Sequence, residues 1–221
     1  ERATRQARRH LDQGDFDALR GAGLLELPVP VEVGGRWDGA GSARPVCEIY
    51  RHLAGADPSV ALVSSMHPAV IGYWLFTSGD ASPAWAEQRA AVFASALAGE
   101  QWGTITSEPG SGGDIMKTKA VAAPLAAAPF LVGASYGVSG DKHFGSGSGI
   151  CLRMITTAVA EGETGPAVFV LDTAGRPWDG TAGWELLAEW DGIGMAATQS
   201  HAMRLSGAPA VRLAWDGPVE Q

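Results

Sequence analysis

The chain of 221 residues is long enough to bury a hydrophobic core, either as one large domain or as two small ones. Its 46% hydrophobic and 18% charged residues are typical of a globular protein and exclude an intrinsically disordered one. The net charge is −8 and no cluster of Lys and Arg alternates with aromatic residues, which argues against a nucleic-acid partner.

The first hundred residues carry the signals of helices. A helix is predicted over residues 12–22 and a second over about 43–55, where apolar residues recur at helical spacing. Ser82 before Pro83 predicts an N-cap and the first residue of a further helix, which Gly99 ends. The amino-terminal half is therefore expected to be all-helical.

The most apolar segment, SVALVSSMHPAVIGYWLF, occupies residues 59–76 and follows a candidate N-cap at Asp57 or Ser59. Its centre holds His67 and Pro68 beside two serines, and the run stays under the ~20 residues that a membrane span needs. A buried core helix, kinked at Pro68, is therefore predicted. His67 is expected to be a core histidine paired with a neighbour, and a ligand-facing role is the alternative.

After Gly99 the residues favour β-strands. Short alternating or β-branched runs, separated by turn residues, predict about seven strands in a small antiparallel barrel or sandwich. Residues 120–134 are expected to form a surface loop and residues 139–142 a hairpin turn. The fold class is thus α+β, with an all-helical domain over residues 1–100 and a β-domain over residues 101–221. The predicted strand runs are WGTITS, TKAVAA, SYGVSG, MITTAV, AVFVLD, HAMRLSGAP and AVRLAW.

The two cysteines and five histidines indicate no metal site. Cys47 and Cys151 lie far apart, match no ligand spacing, and are interpreted as reduced, buried small hydrophobes in a cytoplasmic protein. The histidines are scattered, without the helical spacing of a metal-binding pair.

Two glycine-rich segments are the candidate functional loops. The first, EPGSGGD at residues 108–114, is neither a Walker loop nor a dinucleotide fingerprint, and most such loops are simple turns. The second, HFGSGS at residues 143–148, is predicted as a strand of small side chains, against which another strand or the flat ring of a cofactor would lie. The sequence indicates no nucleophile elbow and no catalytic base.

Five segments stand in a distinctive order along the chain. They are GLLELPVPVEVGG, ADPSVALVSSMH, ALAGEQWGTITSEPGSGGD, YGVSGDKHFGSGSG and WDGIGMAATQSHAMRLSGAPA. Together they resemble the N-terminal helical and middle β-domains of the acyl-CoA dehydrogenase superfamily. The resemblance covers essentially all 221 residues and includes the change from helices to strands.

The resemblance implies a flavin cofactor held between two strands, FAD in a dehydrogenase and FMN in a monooxygenase-like protein. One strand would offer hydroxyl and backbone donors to the pyrimidine edge of the ring, and the following loop would approach the pyrophosphate. The second strand would supply an aromatic side chain and a hydroxyl near N5. The implied cofactor-binding residues are Thr104, Thr106, Ser107, Gly112, Gly113, Phe144, Gly145 and Ser146.

Four positions depart from the family pattern. Ser107 replaces a usual Thr and keeps the hydroxyl, whereas Gly113 replaces a common Ser and removes a contact to phosphate or acyl carrier. Phe144 and Gly147 replace the Trp and Asn of the family's Trp-Ile-Thr-Asn segment. These last two changes leave more room beside the reactive edge of the ring, which flavin monooxygenases of this fold also need.

The resemblance implies an FAD-dependent dehydrogenation of an acyl thioester, with hydride transfer to flavin N5. The alternatives are a two-component flavin monooxygenase or a non-catalytic flavin-binding subunit. In the family the catalytic base comes from a third, helical domain, which would follow residue 221, so the segment alone is expected to be inactive. The expected partners are an acyl thioester, an electron-acceptor flavoprotein or oxygen, and further copies in a dimer or tetramer, with neither nucleic acid nor membrane.

Overall fold

The computed structural model describes residues 2–77, 82–126 and 130–215, and within them the α-helices precede the strands. The predicted helices over residues 12–22 and about 43–55 are confirmed. The α-helices are α1 (Arg2–Gln6), α2 (Gln13–Gly21), α3 (Ala43–Ala56), α4 (Pro58–Phe76) and α5 (Pro83–Leu97).

Side-chain caps fix where α4 and α5 begin. Asp57, rather than Ser59, caps α4, because its Oδ1 accepts hydrogen bonds from the backbone N–H of Ser59 (3.0 Å) and Val60 (3.1 Å). Ser82 Oγ accepts from the Trp85 N–H at 3.3 Å, with a proline at the first helical position. Both caps satisfy N–H groups that have no partner inside the helix.

Helix α4 is a core helix. By length and composition it could cross a membrane, but 56% of its apolar window is buried inside the protein. Val63, Ile71 and Trp74 are fully buried against the sheet and the other helices. The prediction of a buried helix is confirmed.

His67 joins the helices to the first strand. Its Nδ1 accepts from the Trp102 N–H at 3.1 Å, so Nε2 carries the proton and donates to the Leu25 carbonyl at 3.0 Å. Burial lowers the pKa of His67 to about 4, although the Leu25 hydrogen bond opposes the shift. The prediction of a paired core histidine is confirmed.

Five of the seven strands in the described part of the chain close into a ring. Along the ring β4 pairs with β2, β2 with β3, β3 with β7, β7 with β5, and β5 returns to β4. The strands are β1 (Trp102–Thr104), β2 (Val121–Pro124), β3 (Ser135–Gly145), β4 (Arg153–Ala160), β5 (Pro166–Asp172), β6 (Trp184–Ala188) and β7 (His201–Arg212). The predicted barrel is confirmed.

The prediction that the sheet is antiparallel is correct for five of its seven pairings. Both β1 and β2 run parallel to β4, and they lie one after the other along the same edge of that strand. The chain leaves this edge after β1, makes the first glycine-rich loop and rejoins the edge in the same direction. The loop is therefore an excursion from one strand edge rather than a hairpin.

Three predicted details of the β-half are wrong. Residues 139–142 lie inside β3, where a Cβ on Gly140 would come 2.8 Å from the Ala120 Cβ, so this glycine serves close packing and not a turn. The predicted loop over residues 120–134 begins as strand β2, and its residues 127–129 lie outside the described part of the chain. The last two predicted runs are one strand, β7, and the sequence pattern does not indicate β6.

The two apolar cores each combine helices and strands. The first packs Phe16 and Val63 against the barrel interior, and the second packs Trp74 and Trp85 against Trp102 on β1. The boundary between the two predicted domains stays a prediction. Each core contains residues from both the helical half and the β-half of the chain.

Helix α3 is the predicted helix over about 43–55, and it lies at the surface. Its apolar face is half-exposed and it holds no buried residue. Cys47 on this helix is exposed, which corrects the expectation of a buried thiol, whereas Cys151 is buried and both thiols are free. Burial raises the pKa of Cys151 to about 12.

Candidate functional site

The two segments predicted to face a flavin lie side by side at one end of the barrel. The chain continues beyond β1 along β4, since the Ile105 N–H donates to the Ile155 carbonyl at 2.9 Å. Ser107 then pairs with His143 at the end of β3, whose N–H donates to the Ser107 carbonyl at 2.8 Å. The pairing places the first segment next to Phe144.

The hydroxyls of the first segment are available to a ligand. Thr104, Thr106 and Ser107 are half-buried. Within residues 2–77, 82–126 and 130–215, the hydroxyls of Thr106 and Ser107 have no hydrogen-bond partner, whereas the neighbouring Ile105 carbonyl is bonded to Thr156 Oγ1 at 2.7 Å. The backbone of this segment is fixed to the barrel, and its half-buried hydroxyls at Thr106 and Ser107 are not used by the described residues.

The first glycine-rich loop is held together by its own short bonds. The Ser111 N–H and Oγ both donate to the Glu108 carbonyl, at 3.2 and 3.0 Å. Gly112 and Gly113 then follow with φ of 65° and 85°, both exposed, and a Cβ on either would meet no atom within 4 Å. These glycines serve the left-handed backbone conformation and leave the space above them open.

A buried ion pair closes the base of this loop. Lys142 Nζ lies 2.5 Å from Glu108 Oε1, and the side chains are 0% and 4% exposed. Glu108 Oε2 also accepts from the Lys119 N–H at 2.6 Å, while Lys142 donates to the Thr157 carbonyl at 2.7 Å. Every charged atom of the pair is satisfied, so the loop base is firmly fixed.

The ion pair also shifts the acidity of both groups. Burial raises the pKa of Glu108, but hydrogen bonds from Lys142, Thr118 and Lys119 outweigh this effect and leave the pKa below its usual value. Burial lowers the pKa of Lys142, and the bond to Glu108 partly offsets that effect. Glu108 is therefore a charged structural group and not a general base.

Phe144 is held outward by a strained backbone. Its φ is 57°, its side chain is 57% exposed, and its ring packs edge-on against Trp190 with centroids 6.0 Å apart. The other two non-glycine residues with positive φ in the described chain are Met195 and Gln199, on the loop that enters β7. Such conformations persist only where surrounding contacts enforce them, and they cluster at functional sites.

The second glycine-rich segment is packed from within the protein. A Cβ on Gly145 would lie 2.7 Å from Ile105 Cδ1, and one on Gly147 would lie 2.7 Å from Val63 Cγ1. The strand ends at Gly145, so residues 146–148 form a turn instead of the predicted strand. Another part of the chain, rather than a cofactor ring, explains why these two residues are small.

Ser146 belongs to a row of buried hydroxyls. It is 4% exposed, and its Oγ lies 2.7 Å from Ser200 Oγ, which in turn lies 2.7 Å from Thr198 Oγ1. The Gly147 N–H donates to the Thr198 carbonyl at 2.8 Å, which ties this turn to the loop before β7.

Sequence reasoning missed Lys142, Trp190, Thr198 and Ser200 at this end of the barrel. The segment WDGIGMAATQSHAMRLSGAPA contains the last three and contributes to the family resemblance, but no local pattern assigns them a role. The sequence places Lys142 in a predicted turn, whereas in the structure this residue lies inside β3.

A second concave surface lies on the helical half. It is an open groove of about 350 Å³, lined by Leu27, Arg36, Pro45, Val46 and Ile49 among others. Its lining is mostly apolar and it includes the exposed face of α3.

No protein-family model and no curated protein matches the chain. Among solved structures, FMN-bound TdsC from Paenibacillus sp. A11-2 is 27% identical, with a TM-score of 0.72 over 95% of this chain and 49% of TdsC. Methanesulfinate monooxygenase MsuC from Pseudomonas fluorescens is 24% identical, with a TM-score of 0.73 over 99% of this chain and 50% of MsuC. Butyryl-CoA dehydrogenase from Megasphaera elsdenii is 18% identical, with a TM-score of 0.72 over 96% of this chain and 51% of the enzyme.

The chain has the fold of the acyl-CoA dehydrogenase superfamily. The predicted fold is thereby confirmed, and this chain spans about half the length of the structures it matches. FMN is bound in TdsC and in KijD3, another similar structure, which agrees with the predicted flavin cofactor.

Proposed function

We propose that this chain binds a flavin at the end of the barrel where Ser107 meets His143, in a flavin-dependent monooxygenase. The observation that carries the proposal is the backbone pairing of Ser107 with His143, which brings the segment with the free hydroxyls of Thr106 and Ser107 next to Phe144, a residue with an exposed ring and a strained backbone. Hydroxyl donors next to an aromatic wall match a flat ring with carbonyl and nitrogen acceptors along one edge.

The residues of this edge fit the chemistry of a flavin. When bound, a flavin exchanges hydride at N5, and donors on its N1 and C2 carbonyl side stabilise the reduced ring. Thr106 and Ser107 would be those donors, with Thr104 on the same strand and Ser146 near N5. Because the segment is bonded to β4 and β3, its donors are oriented before a ligand arrives.

The proposed phosphate contacts rest on the open loop. Gly112 and Gly113 leave free space above a left-handed backbone, which allows close approach of a phosphate to main-chain N–H groups. A ligand contact at Gly145 would involve its backbone, because Ile105 occupies the space where a side chain on this residue would lie.

Two observations favour oxygenation over thioester dehydrogenation. The first is the 27% identity to FMN-bound TdsC over 95% of this chain. TdsC is a dibenzothiophene monooxygenase. Phe144 also stands where the family pattern has the larger Trp, whereas Gly147 gives the ring no extra room because Val63 packs against it. We propose a small apolar aromatic substrate, because the exposed ring of Phe144 packs against the half-buried ring of Trp190 and forms an aromatic wall. A cytoplasmic homo-oligomer stays a prediction.

The test compares two assays of the intact protein. In the first, the protein receives FMN, a flavin reductase, NADH, oxygen and either dibenzothiophene or indole; in the second, it receives FAD, acyl-CoA thioesters and an artificial electron acceptor. The proposal expects oxygen-dependent product in the first assay alone. Thioester-dependent flavin bleaching would instead establish the dehydrogenase, and absence of any flavin binding would leave only a non-catalytic role.

A further inference from the structure

The loop that enters β7 is bonded to the N-terminal segment, residues 7–12, which joins α1 to α2. The Leu11 N–H donates to Gln199 Oε1 at 2.7 Å, and Arg9 Nη1 donates to the Gly192 carbonyl at 3.3 Å. The first bond is the stronger one, because it is shorter and part-buried, whereas the Arg9 side chain is exposed to competing water. The connection therefore depends mainly on Gln199.

Gln199 joins distant parts of the chain from a strained backbone. Its φ is 48°, a conformation that favours glycine and is uncommon for other residues. Besides accepting from Leu11, its side chain donates from Nε2 to the Ser148 carbonyl at 2.7 Å. The two partners lie 188 and 51 positions away in the sequence. A glutamine kept where glycine would fit better indicates a role for the side chain.

The same loop determines where Trp190 lies. The Trp190 N–H donates to His201 Nδ1 at 2.9 Å, and its indole Nε1 donates to the Met195 carbonyl at 3.1 Å. A Cβ on Gly192 would lie 2.1 Å from Trp190 Cζ2, so the indole ring covers the loop backbone at this glycine. From this position the ring contacts Phe144 edge-on, with centroids 6.0 Å apart.

We propose that Gln199 is a positioning residue, which clasps the N-terminal segment to the loop entering β7 and so holds Trp190 in the wall of the substrate site. The inference rests on the proposed function, in which an apolar aromatic substrate lies against Phe144 and Trp190. Gln199 acts through Trp190. The N-terminal segment thereby takes part in substrate binding, although it belongs to the helical half of the chain.

Hydrogen exchange of the intact protein, followed by NMR, measures the clasp directly. The Leu11 amide is protected by Gln199 Oε1, and the Trp190 amide is protected by His201 Nδ1. Gln199→Gly removes both side-chain bonds and relieves the backbone strain. Exchange at Leu11 is expected to accelerate about fivefold, the ratio that one hydrogen bond is worth, and exchange at Trp190 should accelerate with it.

Turnover kinetics show whether the clasp serves the substrate. With FMN, a flavin reductase, NADH, oxygen and indole, Gln199→Gly is expected to raise KM for indole about fivefold, because a displaced wall weakens substrate binding. The kcat and the FMN dissociation constant should stay within about twofold of wild type, because this variant removes ground-state binding alone.

Two further variants separate the clasp from general stability. Gln199→Ala loses the same two bonds but keeps a Cβ at a φ of 48°, so it should show the same KM and a lower urea midpoint than Gln199→Gly. Gln13→Ala is the matched control, because Gln13 Nε2 donates to Asp17 Oδ1 within α2, outside the clasp. It should leave both amides and KM unchanged.

Faster exchange at Leu11 and Trp190, together with an equal rise in KM in the two Gln199 variants, supports the inference. Faster exchange at Leu11 alone with KM unchanged overturns it while the proposed function stands. A rise in KM confined to Gln199→Ala also overturns it, since strain and not the clasp would then be the cause. Absence of product from the wild-type protein overturns the proposed function and the inference with it.

Discussion

The two glycine-rich segments look alike in sequence but have opposite surroundings. In residues 143–148, Gly145 and Gly147 are buried, and an added Cβ would collide with Ile105 and Val63. In residues 108–114, Gly112 and Gly113 are exposed, and an added Cβ would meet nothing within 4 Å. Gly145 and Gly147 allow other parts of the protein to pack closely, whereas Gly112 and Gly113 leave open space for a ligand.

The comparison shows that a glycine-rich motif does not by itself indicate a ligand site. What distinguishes the two segments is where their polar groups are bonded. The turn after Gly145 directs its hydroxyls inward, to Ser200 and to the Gly145 carbonyl. The open loop has a buried ionic base at Glu108, and the hydroxyls of Thr106 and Ser107 just before it stay unbonded within the described chain.

The largest expected effect comes from breaking the ionic base of the open loop. Lys142→Ala leaves Glu108 buried without its partner, and we expect a loss of about 3–5 kcal/mol in the free energy of unfolding. Urea denaturation measures it. The double variant Glu108→Gln, Lys142→Met removes both charges and should recover part of the loss, whereas equal losses in single and double variants would contradict a specific ion pair.

The packed segment should tolerate substitution less than the open loop. Gly147→Ala combines a φ of 79° with a Cβ 2.7 Å from Val63 Cγ1, and we expect a loss of about 2–4 kcal/mol in unfolding free energy. Urea denaturation monitored by tryptophan fluorescence measures the change. A loss below that of the Gly113 variant described next would contradict the packing argument.

The open loop supplies the matched substitution. Gly113→Ala meets no neighbouring atom, but its φ of 85° disfavours a side chain, so we expect a loss of only about 1 kcal/mol. The same denaturation experiment measures it. Flavin affinity is the second readout, and a decrease there beyond the loss of stability would support the proposed phosphate contact.

Whether a feature of the fold could be predicted from the sequence depended on how far apart in the chain its contacting residues lie. The caps at Asp57 and Ser82 and the core role of His67 follow from local pattern, because caps and helix faces are set by residues a few positions apart. The prediction at Gly140 and Lys142 was wrong, because a glycine before two charged residues favours a turn. In the structure this glycine lies inside β3, where it allows β2 to pack closely.

The candidate site was predictable only in part. The family resemblance indicated Ser107 and Phe144, and the structure places their segments side by side. The hydrogen bond between Ser146 and Ser200 joins residues that are 54 positions apart in the sequence, and the contact between Phe144 and Trp190 spans a similar sequence separation. No local periodicity specifies such contacts, because the pairing of β3 with β7 creates them.

The smallest expected effect concerns the free hydroxyl beside the open loop. Ser107→Ala removes one donor that no described residue uses, so stability should stay within about 0.5 kcal/mol of wild type. Flavin affinity should decrease about fivefold, the value of one neutral hydrogen bond. Equilibrium titration followed by flavin fluorescence checks the affinity, with Ser148→Ala as the control. Equal decreases in the two variants would point to a general effect on the barrel end.

A crystal structure of the protein grown with FMN tests the central claim most directly. The account predicts the isoalloxazine ring against Thr106, Ser107 and Phe144, with its phosphate above Gly112 and Gly113. A flavin bound instead in the groove lined by Leu27, Val46 and Ile49, or clear density for an empty barrel end at saturating FMN, would contradict it.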